Sequence, residues 1–443
     1  MARLFGTDGI RGVANVDLVA PLAYALGRAA AQRLAPEGGA IALGQDTRRS
    51  CDMLAAALVA GATSLGVDVH RLGVVPTPAL AHATARGAFR AAVMVSASHN
   101  PANDNGLKVL DRDGLKLEEA LEDELERLMD APDALAGPGN DGLGREIDAS
   151  ELLEGYIAER CQRAARIGST LHVVVDCANG SAGRTAPTIL AASGARLAVI
   201  HDAPDGSNIN LDCGATDPRS LAAEVVARGA GLGFALDGDG DRLIAVDHTG
   251  AVVDGDRIMG ILALDRLARG ALAGEVLVAT VLSNGGLVAT VESAGVRVVR
   301  TPVGDRHILA AMLAEGADLG GEKSGHVIVR EHSLTGDGVA TALELLDVLA
   351  RSGRSLAEAA GTIALYPQQQ RTVTVRRRDE WESEPALRAA IVDAEERLAG
   401  RGRVLVRPSG TEPALRVMVE GEDGELVSAL ADRLAALAEE RLH

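Results

Sequence analysis

Aromatic residues and positive charge are both scarce in this sequence. Aromatic side chains make up only 2% of the 443 residues, against 47% apolar residues overall, so the hydrophobic cores must be built from Ala, Val, Leu and Ile. Lys and Arg number 44 against 62 Asp and Glu, which gives a net charge of −18. Because nucleic-acid-binding proteins usually carry a basic excess, this balance argues against a nucleic-acid partner. A small anionic substrate stays compatible with it, since a few local arginines can outweigh a global sum.

Cysteines are also few, and none is placed for a metal–thiolate cluster or a disulfide framework. The four (Cys51, Cys161, Cys177 and Cys213) lie far apart, and no two form a C-x-x-C pair. A reducing cytoplasm is the simplest environment for such a chain. The sequence has no run of about 18 apolar residues, and its first residues, M-A-R-L-F-G-T-D-G, lack the apolar core of a signal peptide. We therefore expect a cytoplasmic protein with no membrane partner.

One local pattern, a helical apolar period followed by glycine and a short β-branched strand, occurs three times. The glycines are Gly66, Gly194 and Gly295, and each stands where a left-handed residue would end a helix. After each copy another apolar strand runs into a polar loop, namely S-A-S-H-N-P, D-G-D-G-D-R and G-E-K-S-G-H. The alternation predicts βαβ units in parallel or mixed sheets. Ligands bind at the carboxyl ends of such strands, where we expect all three loops.

The C-terminal part has a different pattern. The segments G-R-V-L-V-R and A-L-R-V-M-V-E alternate like antiparallel strands, and a final helix carries Leu426, Leu430, Leu434 and Leu437 on one stripe. This pattern predicts a smaller α+β domain after three α/β domains, in keeping with about 100–200 residues per domain. The predicted domains are 1–148, 149–250, 251–366 and 367–443.

The loop D-G-D-G-D-R predicts a metal site. It places Asp237, Asp239 and Asp241 at alternate positions, where an extended backbone points all three carboxylates the same way, and the intervening glycines let the backbone curl around an ion. Three crowded like charges call for a cation, and a ligand set made only of oxygen suits Mg²⁺. A calcium loop of the EF-hand type is excluded, because it needs Gly and Glu where this sequence has Arg242 and His248. The alternative is a solvated acidic turn.

The loop V-R-P-S-G-T-E-P predicts a phosphate site. Arg407 supplies a guanidinium, Ser409 and Thr411 supply hydroxyls, and Gly410 leaves the backbone amides accessible. Arg416, just beyond, can add a second fork of N–H donors. The alternative is an ordinary hairpin turn.

The loop G-E-K-S-G-H predicts sugar binding and proton transfer. Glu322 and Ser324 suit vicinal sugar hydroxyls, and His326 can move protons. The loop is not a P-loop, because Glu322 stands where that motif requires Lys. For His326 alone, a satisfied structural histidine is the alternative.

The stretch V-S-A-S-H-N-P contains the candidate reactive serine, Ser98. A hydrolase triad with His99 is not expected, because adjacent side chains tend to diverge and no G-x-S-x-G elbow surrounds the serine. Taken alone, Ser98 is best interpreted as a loop or cap residue. Beside a metal loop and a phosphate loop, a phosphorylated Ser98 becomes a phosphoryl donor that completes the Mg²⁺ shell.

Together these loops resemble the signature loops of the α-D-phosphohexomutase superfamily. Five segments match in order along the whole chain: F-G-T-D-G-I-R-G (5–12), S-A-S-H-N-P, D-G-D-G-D-R, G-E-K-S-G-H and R-P-S-G-T-E-P. The resemblance implies four domains around a central cleft. Three would be related α/β domains with mixed sheets, carrying in turn the phosphoserine, metal and sugar loops. The fourth would be a C-terminal α+β domain that binds phosphate.

The resemblance also implies roles for single residues. Ser98 would be the phosphoserine and would hold Mg²⁺ together with the three aspartates, and a sugar 1,6-bisphosphate would be both primer and intermediate. The remaining roles are Arg11, Lys108 and Arg242 around the transferring phosphoryl group; Lys108 and His326 in proton transfer; Glu322 and Ser324 on sugar hydroxyls; and Arg407, Ser409, Gly410, Thr411 and Arg416 on the non-transferred phosphate.

Within the superfamily, the opening loop, V-L-S-N-G-G-L (281–287) and T-G-D-G (335–338) favour the branch that interconverts glucosamine 6-phosphate and glucosamine 1-phosphate. That branch feeds UDP-N-acetylglucosamine and cell-wall synthesis, and a homodimer is compatible with it. Lys323 stands where the branch often has glutamine, which bears on sugar preference. The alternatives are a phosphomannomutase or phosphoglucomutase, a phosphoserine-dependent sugar phosphatase, and a non-catalytic sensor. The intact Ser98 and aspartates argue against the sensor.

Overall fold

Four β-sheets follow one another along the chain in the computed structural model, which describes residues 3–408 and 414–443. The described residues up to Val281, together with Arg297–Gly361, form one compact unit, and Leu282–Val296 with Thr362–His443 form a second. The first three sheets lie in the first unit and the fourth lies in the second. Within the described residues, none of the helices combines the length and the apolar character that crossing a membrane needs.

The first sheet is mixed and has seven strands. They are β1 (Phe5–Gly6), β2 (Gly9–Val13), β3 (Ala40–Gln45), β4 (Asp68–Val74), β5 (Phe89–Val95), β6 (Asp104–Asp111) and β7 (Glu146–Asp148), in the order β1-β2-β6-β5-β3-β4-β7. Strand β3 pairs in parallel with β4 and β5, and β6 runs antiparallel to β5. The helices of this part are α1 (Ala20–Leu34), α2 (Cys51–Thr63), α3 (Thr77–Arg86) and α4 (Glu119–Met129).

The second sheet is also mixed. Its strands are β8 (His172–Asp176), β9 (Arg196–Ile200), β10 (Leu232–Leu236), β11 (Leu243–Asp247) and β12 (Val252–Val253), in the order β12-β11-β10-β8-β9. Its helices are α5 (Leu152–Ala164), α6 (Ala186–Ala191) and α7 (Arg219–Ala227). Strand β8 pairs in parallel with β9 and β10, and β11 runs antiparallel to β10.

The third sheet repeats this plan on a smaller scale. Its strands are β13 (Val276–Thr280), β14 (Arg297–Thr301), β15 (Leu319–Gly321) and β16 (Val327–Val329), in the order β14-β13-β15-β16. The helices along this part of the chain are α8 (Gly255–Ala268), α9 (Gly285–Ser293), α10 (Asp305–Glu315), α11 (Gly338–Ser352) and α12 (Leu356–Gly361). Of these, α9 belongs to the second compact unit.

The fourth sheet is antiparallel, as the C-terminal alternation predicts. Its strands are β17 (Gln368–Thr374), β18 (Gly402–Pro408) and β19 (Ala414–Gly421), in the order β17-β19-β18, with helices α13 (Pro385–Leu398) and α14 (Gly424–Leu442). On α14, Leu430 and Leu434 are buried, whereas Leu426 and Leu437 are only partly buried. Short 3-10 helices cover Pro132–Ala134, Asn140–Gly142, Ser181–Arg184, Ala273–Glu275 and Arg378–Ser383.

The three-fold repeat predicted from the sequence is confirmed. Gly66, Gly194 and Gly295 each follow a helix and precede a strand, and their φ angles are +82°, +90° and +103°. Residues other than glycine rarely adopt this left-handed backbone conformation. The strand cores are apolar and inaccessible, as parallel strands covered on both faces should be: β10 and β13 are buried at every residue. The polar loops follow β5, β10 and β15 at their carboxyl ends, where βαβ folds bind ligands.

Candidate active site

Ser98 lies just beyond the carboxyl end of β5, in a backbone conformation that is uncommon for a residue with a side chain. Its φ angle is +53°, and the residue is buried. Its amide donates a hydrogen bond to Ser96 Oγ (2.9 Å), and its own Oγ donates one to Asp237 Oδ2 (2.7 Å). The left-handed turn therefore aims the Ser98 hydroxyl at the aspartate loop that follows β10.

The three aspartates of D-G-D-G-D-R converge. One oxygen from each lies within 4.8 Å of those of the other two, and all three residues are buried. The extended backbone expected for Asp237 to Asp241 is wrong, however, because a turn begins at Gly238 and Gly240 has a φ angle of +72°. The turn curls the backbone around the space between the carboxylates and so brings them together.

The protein itself neutralises these carboxylates only in part. Lys108 Nζ lies 2.6 Å from Asp239 Oδ2, which also accepts a hydrogen bond from Thr77 Oγ1 (2.6 Å). Asp239 Oδ1 and Asp241 Oδ1 are buried with no hydrogen-bond partner among the described residues. A buried carboxylate oxygen without a partner costs free energy, and a divalent cation that prefers oxygen ligands removes that cost. The donor set of this cluster therefore fits Mg²⁺.

The crowding of negative charge appears in the pKa values of the cluster. Burial and the charges of Asp241 and Asp239 raise the pKa of Asp237 well above its ordinary value. Burial would lower the pKa of the Lys108 ammonium, but Asp239 and Asp241 outweigh burial and raise it. The cluster therefore favours positive charge, whether as a proton, an ammonium or a metal ion.

Two arginines border the Ser98 loop. The backbone amide of Arg242 donates to Asp237 Oδ1 (3.1 Å), and the Arg11 guanidinium donates to Asn100 Oδ1 (3.5 Å). The Nε atoms of both arginines are buried and have no hydrogen-bond partner within the described part of the chain. Both guanidinium groups therefore retain donor capacity for an anion at the Ser98 hydroxyl.

His99 lies closer to Ser98 than the local sequence rule predicts. Its Nδ1 is 3.3 Å from Ser98 Oγ. The expectation that these neighbouring side chains diverge is wrong, because the left-handed backbone at Ser98 turns them toward each other. Burial and the charges of Arg242 and Arg11 lower the pKa of His99 to about 4, so the ring is neutral at pH 7.

The predicted sugar loop, G-E-K-S-G-H (321–326), connects β15 to β16. Both carboxylate oxygens of its Glu322 accept hydrogen bonds. Oε1 accepts a hydrogen bond from the amide of Gly304 (3.1 Å), and Oε2 accepts one from the hydroxyl of Ser324 (3.0 Å). The amide of Leu243 donates to the carbonyl of Gly325 (3.0 Å), which joins this hairpin to the strand after the aspartate loop. Glu322 and Ser324 are thus fixed beside that loop.

His326 contacts the aspartate cluster directly. Its Nδ1 lies 3.6 Å from Asp241 Oδ2, and its Nε2 accepts a hydrogen bond from the amide of Gly336 (3.0 Å). Because the Gly336 amide fixes the orientation of the ring, Nδ1 faces Asp241. In this arrangement the imidazole orients a carboxylate of the cluster.

In the second unit, two of the predicted phosphate ligands stand side by side. Arg407 on β18 and Arg416 on β19 are direct partners in the antiparallel pair. Burial and the like charge of Arg416 lower the pKa of Arg407. Two guanidinium groups held this close favour a bound anion. The other predicted phosphate ligands, Ser409, Gly410 and Thr411, lie outside the described residues.

Three polar residues that hold the site together are not among the residues predicted from the sequence. Thr77, at the start of α3, contacts Asp239, while Arg48 and Asn210 each donate to the backbone carbonyl of Ser98 (both 2.9 Å). A signal for Arg48 is present, because D-T-R (46–48) follows β3 as the other polar loops follow their strands. No local pattern singles out Asn210.

Models of one protein family match the chain from end to end. Domain I of the phosphoglucomutase/phosphomannomutase family, an alpha/beta/alpha domain, matches residues 2–136. Its alpha/beta/alpha domain II matches residues 154–250, and its alpha/beta/alpha domain III matches residues 254–366. The C-terminal domain of the family matches residues 372–437.

Individual relatives agree with the family models. The chain is 53% identical over 428 residues to the phosphoglucosamine mutase of Moorella thermoacetica, covering 96% of both chains. A crystal structure of a phosphoglucomutase/phosphomannomutase family protein from Burkholderia thailandensis superimposes with a TM-score of 0.82 at 25% identity, covering 100% of this chain and 98% of the other. The fold is also that of Aspergillus fumigatus N-acetylphosphoglucosamine mutase, solved in complex with GlcNAc-6P and magnesium (TM-score 0.70, 21% identity, 99% and 96% covered).

Proposed function

Because the chain belongs to the phosphoglucomutase/phosphomannomutase family and is about half identical to a phosphoglucosamine mutase along its length, we propose that it interconverts glucosamine 6-phosphate and glucosamine 1-phosphate. The reaction is an isomerisation by phosphoryl transfer, with a phosphorylated hexosamine as substrate. The observation that carries this proposal is the contact of Ser98 Oγ with Asp237 Oδ2, 2.7 Å apart, within the buried cluster of three aspartates.

The aspartate cluster is the proposed metal site. Asp237, Asp239 and Asp241 would hold Mg²⁺ together with an oxygen of phosphorylated Ser98, and the two unpartnered carboxylate oxygens described above support this assignment. Bound Mg²⁺ would withdraw charge from the transferring phosphoryl group and so stabilise its transition state. Lys108, at 2.6 Å from Asp239, adds positive charge on the same side.

Two phosphoryl transfers make up the proposed reaction. In the first, the bond from phosphorus to Ser98 Oγ breaks and a bond to O1 or O6 of the substrate forms, while the proton of that hydroxyl passes through a basic group to Ser98 Oγ. The sugar 1,6-bisphosphate then turns over, and Ser98 Oγ takes the other phosphate by the reverse step. Arg11 and Arg242 would stabilise the transferring group, and Lys108 and His326 would move the proton.

Substrate binding is assigned to two further loops. Glu322 and Ser324 would bind sugar hydroxyls, because their oxygens are already fixed by each other and by the Gly304 amide. The non-transferred phosphate would bind Arg407 and Arg416, together with Ser409, Gly410 and Thr411. The four predicted domains, a cytoplasmic location and a homodimer stay predictions.

A substrate panel tests the function. The purified protein is incubated with Mg²⁺, a trace of sugar bisphosphate and glucosamine 6-phosphate, glucose 6-phosphate or mannose 6-phosphate, and the 1-phosphates and free phosphate are measured. We expect glucosamine 1-phosphate to form fastest. A preference for glucose or mannose would contradict the substrate assignment but keep the mechanism, whereas release of free phosphate alone would identify a phosphatase.

Ser98→Ala tests the donor. We expect this variant to have no measurable turnover with any substrate, because the hydroxyl that carries the phosphoryl group is missing. Intact mass spectrometry after incubation with the bisphosphate should show a phosphorylated wild type and an unmodified variant. Activity of the variant at the wild-type level would refute the assignment of Ser98.

A further inference from the structure

Arg48 holds the Ser98 loop through four of its five N–H donors, and the fifth donates to Asp46. The residue lies three positions beyond β3, and its side chain is completely buried. Its Nη2 donates to the backbone carbonyls of Ser98 (2.9 Å) and Asn100 (2.8 Å), and its Nη1 donates to those of Pro101 and Asp104 (3.0 Å for Asp104). One side chain thus satisfies four carbonyls within seven residues.

Asp46 links Arg48 to the amide side of the same loop. Its Oδ2 accepts hydrogen bonds from Arg48 Nε (2.9 Å) and from Ser96 Oγ (2.6 Å). Ser96 Oγ in turn accepts the amide of Ser98 (2.9 Å). Both the amide and the carbonyl of Ser98 are therefore tied, directly or through one hydroxyl, to the Asp46–Arg48 ion pair.

The conformation of Ser98 explains why such a grip is needed. A φ angle of +53° is unfavourable for a serine and persists only where the surroundings over-determine it. The carbonyls of the loop are also buried, and buried carbonyls without donors are costly. Only arginine supplies five donors in one planar group. Lysine has three, so it cannot satisfy the four loop carbonyls and Asp46 together.

We propose that Arg48 is a positioning residue for phosphoryl transfer, because it holds the Ser98 loop in the conformation in which Ser98 Oγ contacts Asp237. This inference rests on the proposed function for its catalytic consequence. Arg48 donates none of its N–H groups to a side chain that binds sugar, so its loss should slow transfer and leave substrate binding nearly intact. A displacement of about 1 Å at a reacting atom can cost about 100-fold in rate.

A matched control separates positioning from a general structural role. Arg28, in the same sheet region, is also buried and also clamps backbone, donating to the carbonyls of Pro132 (3.0 Å) and Leu135 and to Ser64 Oγ (2.6 Å). None of its partners belongs to the Ser98 loop. Arg28→Lys should therefore lower stability much as Arg48→Lys does, without touching the serine.

The first experiment compares the two lysine variants in the mutase assay at saturating bisphosphate. For Arg48→Lys we expect kcat to fall about 100-fold, with KM for glucosamine 6-phosphate changed by no more than about twofold. For Arg28→Lys we expect unchanged kcat despite a lower thermal midpoint. Equal loss of kcat in both variants, a kcat of Arg48→Lys within about threefold of wild type, or a rise in KM alone would overturn the proposal.

A second measurement does not depend on the reaction. Hydrogen exchange of the peptide that spans residues 96–104 should be faster in Arg48→Lys than in the wild type, and unchanged in Arg28→Lys. If Arg48→Lys does not fold, Arg48→Gln replaces it, since the neutral amide keeps two N–H donors but cannot bond all four loop carbonyls. If the wild type forms no glucosamine 1-phosphate, the proposed function fails, while hydrogen exchange still decides whether Arg48 fixes the loop. Unchanged exchange in Arg48→Lys, or in Arg48→Gln where that variant replaces it, would overturn the positioning role.

Discussion

Two clusters of like charge carry the proposed chemistry, and they differ in how far the protein neutralises them. In the first unit, three buried carboxylates meet after β10, and Lys108 Nζ lies 2.6 Å from Asp239 among them. In the second unit, Arg407 and Arg416 stand opposite each other on β18 and β19, and no described carboxylate forms an ion pair with Arg407. Each cluster favours a ligand of opposite charge, and in the carboxylate cluster Lys108 already supplies part of the counter-charge.

The difference teaches what each cluster is built to do. The carboxylates are fixed by a turn, a lysine and a histidine. This arrangement suits a cation that stays bound through the reaction. The arginines lie on the two strands that flank the predicted phosphate loop, and burial together with the like charge of Arg416 lowers the pKa of Arg407. That arrangement suits an anion that binds and leaves in every turnover. Removing a carboxylate should therefore disable the reaction, whereas removing an arginine should weaken binding.

The largest effect on turnover is expected from Asp237→Asn. This substitution removes the carboxylate that contacts the Ser98 hydroxyl and takes one negative charge from the Mg²⁺ site. We expect kcat to fall by about 1,000-fold, as for the loss of a main electrostatic contributor to a transition state. Thermal unfolding should show that Mg²⁺ stabilises the wild type and leaves the variant unchanged, because a ligand stabilises only a state that binds it.

The control for this variant is a buried aspartate of the same sheet that lies outside the cluster. Asp176 ends β8 and accepts the backbone amides of Ala178 and Gly214 (both 2.8 Å). Asp176→Asn should lower the thermal midpoint but retain the full stabilisation by Mg²⁺. Equal stabilisation of Asp237→Asn and wild type by Mg²⁺ would contradict the metal assignment.

A smaller effect is expected from Arg407→Met. The substitution removes one charge-assisted contact to phosphate, each worth about 1.5–3 kcal/mol, so KM for glucosamine 6-phosphate should rise about 10- to 100-fold. The free energy of unfolding without ligand should not fall, because the repulsion between Arg407 and Arg416 is relieved. Initial rates over a range of substrate concentrations separate KM from kcat.

Arg403 provides the matched control for that measurement. It lies on the same strand, β18, but is paired with Glu420, so its charge is already neutralised. Arg403→Met should therefore cost stability and leave KM unchanged. If both variants raise KM equally, the effect reflects the strand and not the phosphate site.

The strands, the loops at their carboxyl ends and the convergence of the aspartates could all be predicted from sequence, because each depends on a local pattern. Apolar runs mark β5 and β10, the short segment A-D-L-G marks β15, and polar loops follow all three directly. The turn at Gly240 could not be predicted with equal success, since alternation of Asp and Gly fits an extended and a curled backbone alike. The local rule that neighbouring side chains diverge failed at His99, where one left-handed residue reverses the geometry.

The contacts that hold the Ser98 loop could not be predicted from the sequence for a different reason. Arg48 reaches the carbonyls of Ser98 and Asn100 from 50 and 52 positions away, and Asn210 reaches the same two carbonyls from 112 and 110 positions away. Side-chain to backbone contacts of this range leave no periodicity in the sequence. Only the tertiary structure shows which polar residues serve the loop.

A third cluster contains both positive and negative side chains. Because these charges neutralise one another, the cluster needs no ligand, which makes it a useful comparison. Glu344 accepts contacts from Arg266 Nη2 (2.8 Å), His332 Nε2 (3.0 Å) and Arg163. Burial would raise the pKa of Glu344, but His332 and Arg266 outweigh burial and hold it well below its ordinary value. Glu344→Gln should leave kcat and the Mg²⁺ shift unchanged, yet cost about 3 kcal/mol of unfolding free energy at pH 7.

The pH dependence of that cost gives the final test. Because the folded pKa of Glu344 is depressed, its stabilisation is present above the pKa of the unfolded carboxyl, about 4.5, and is lost as pH falls toward the folded value. Urea midpoints of the wild type and Glu344→Gln should therefore differ at pH 7 and approach each other near pH 3. Glu331→Gln is the control, because its carboxylate is exposed and its pair with Arg163 should be worth no more than about 1 kcal/mol. A gap between wild type and Glu344→Gln that stays constant down to pH 3 would show that packing, and not the neutralised charge, stabilises this cluster.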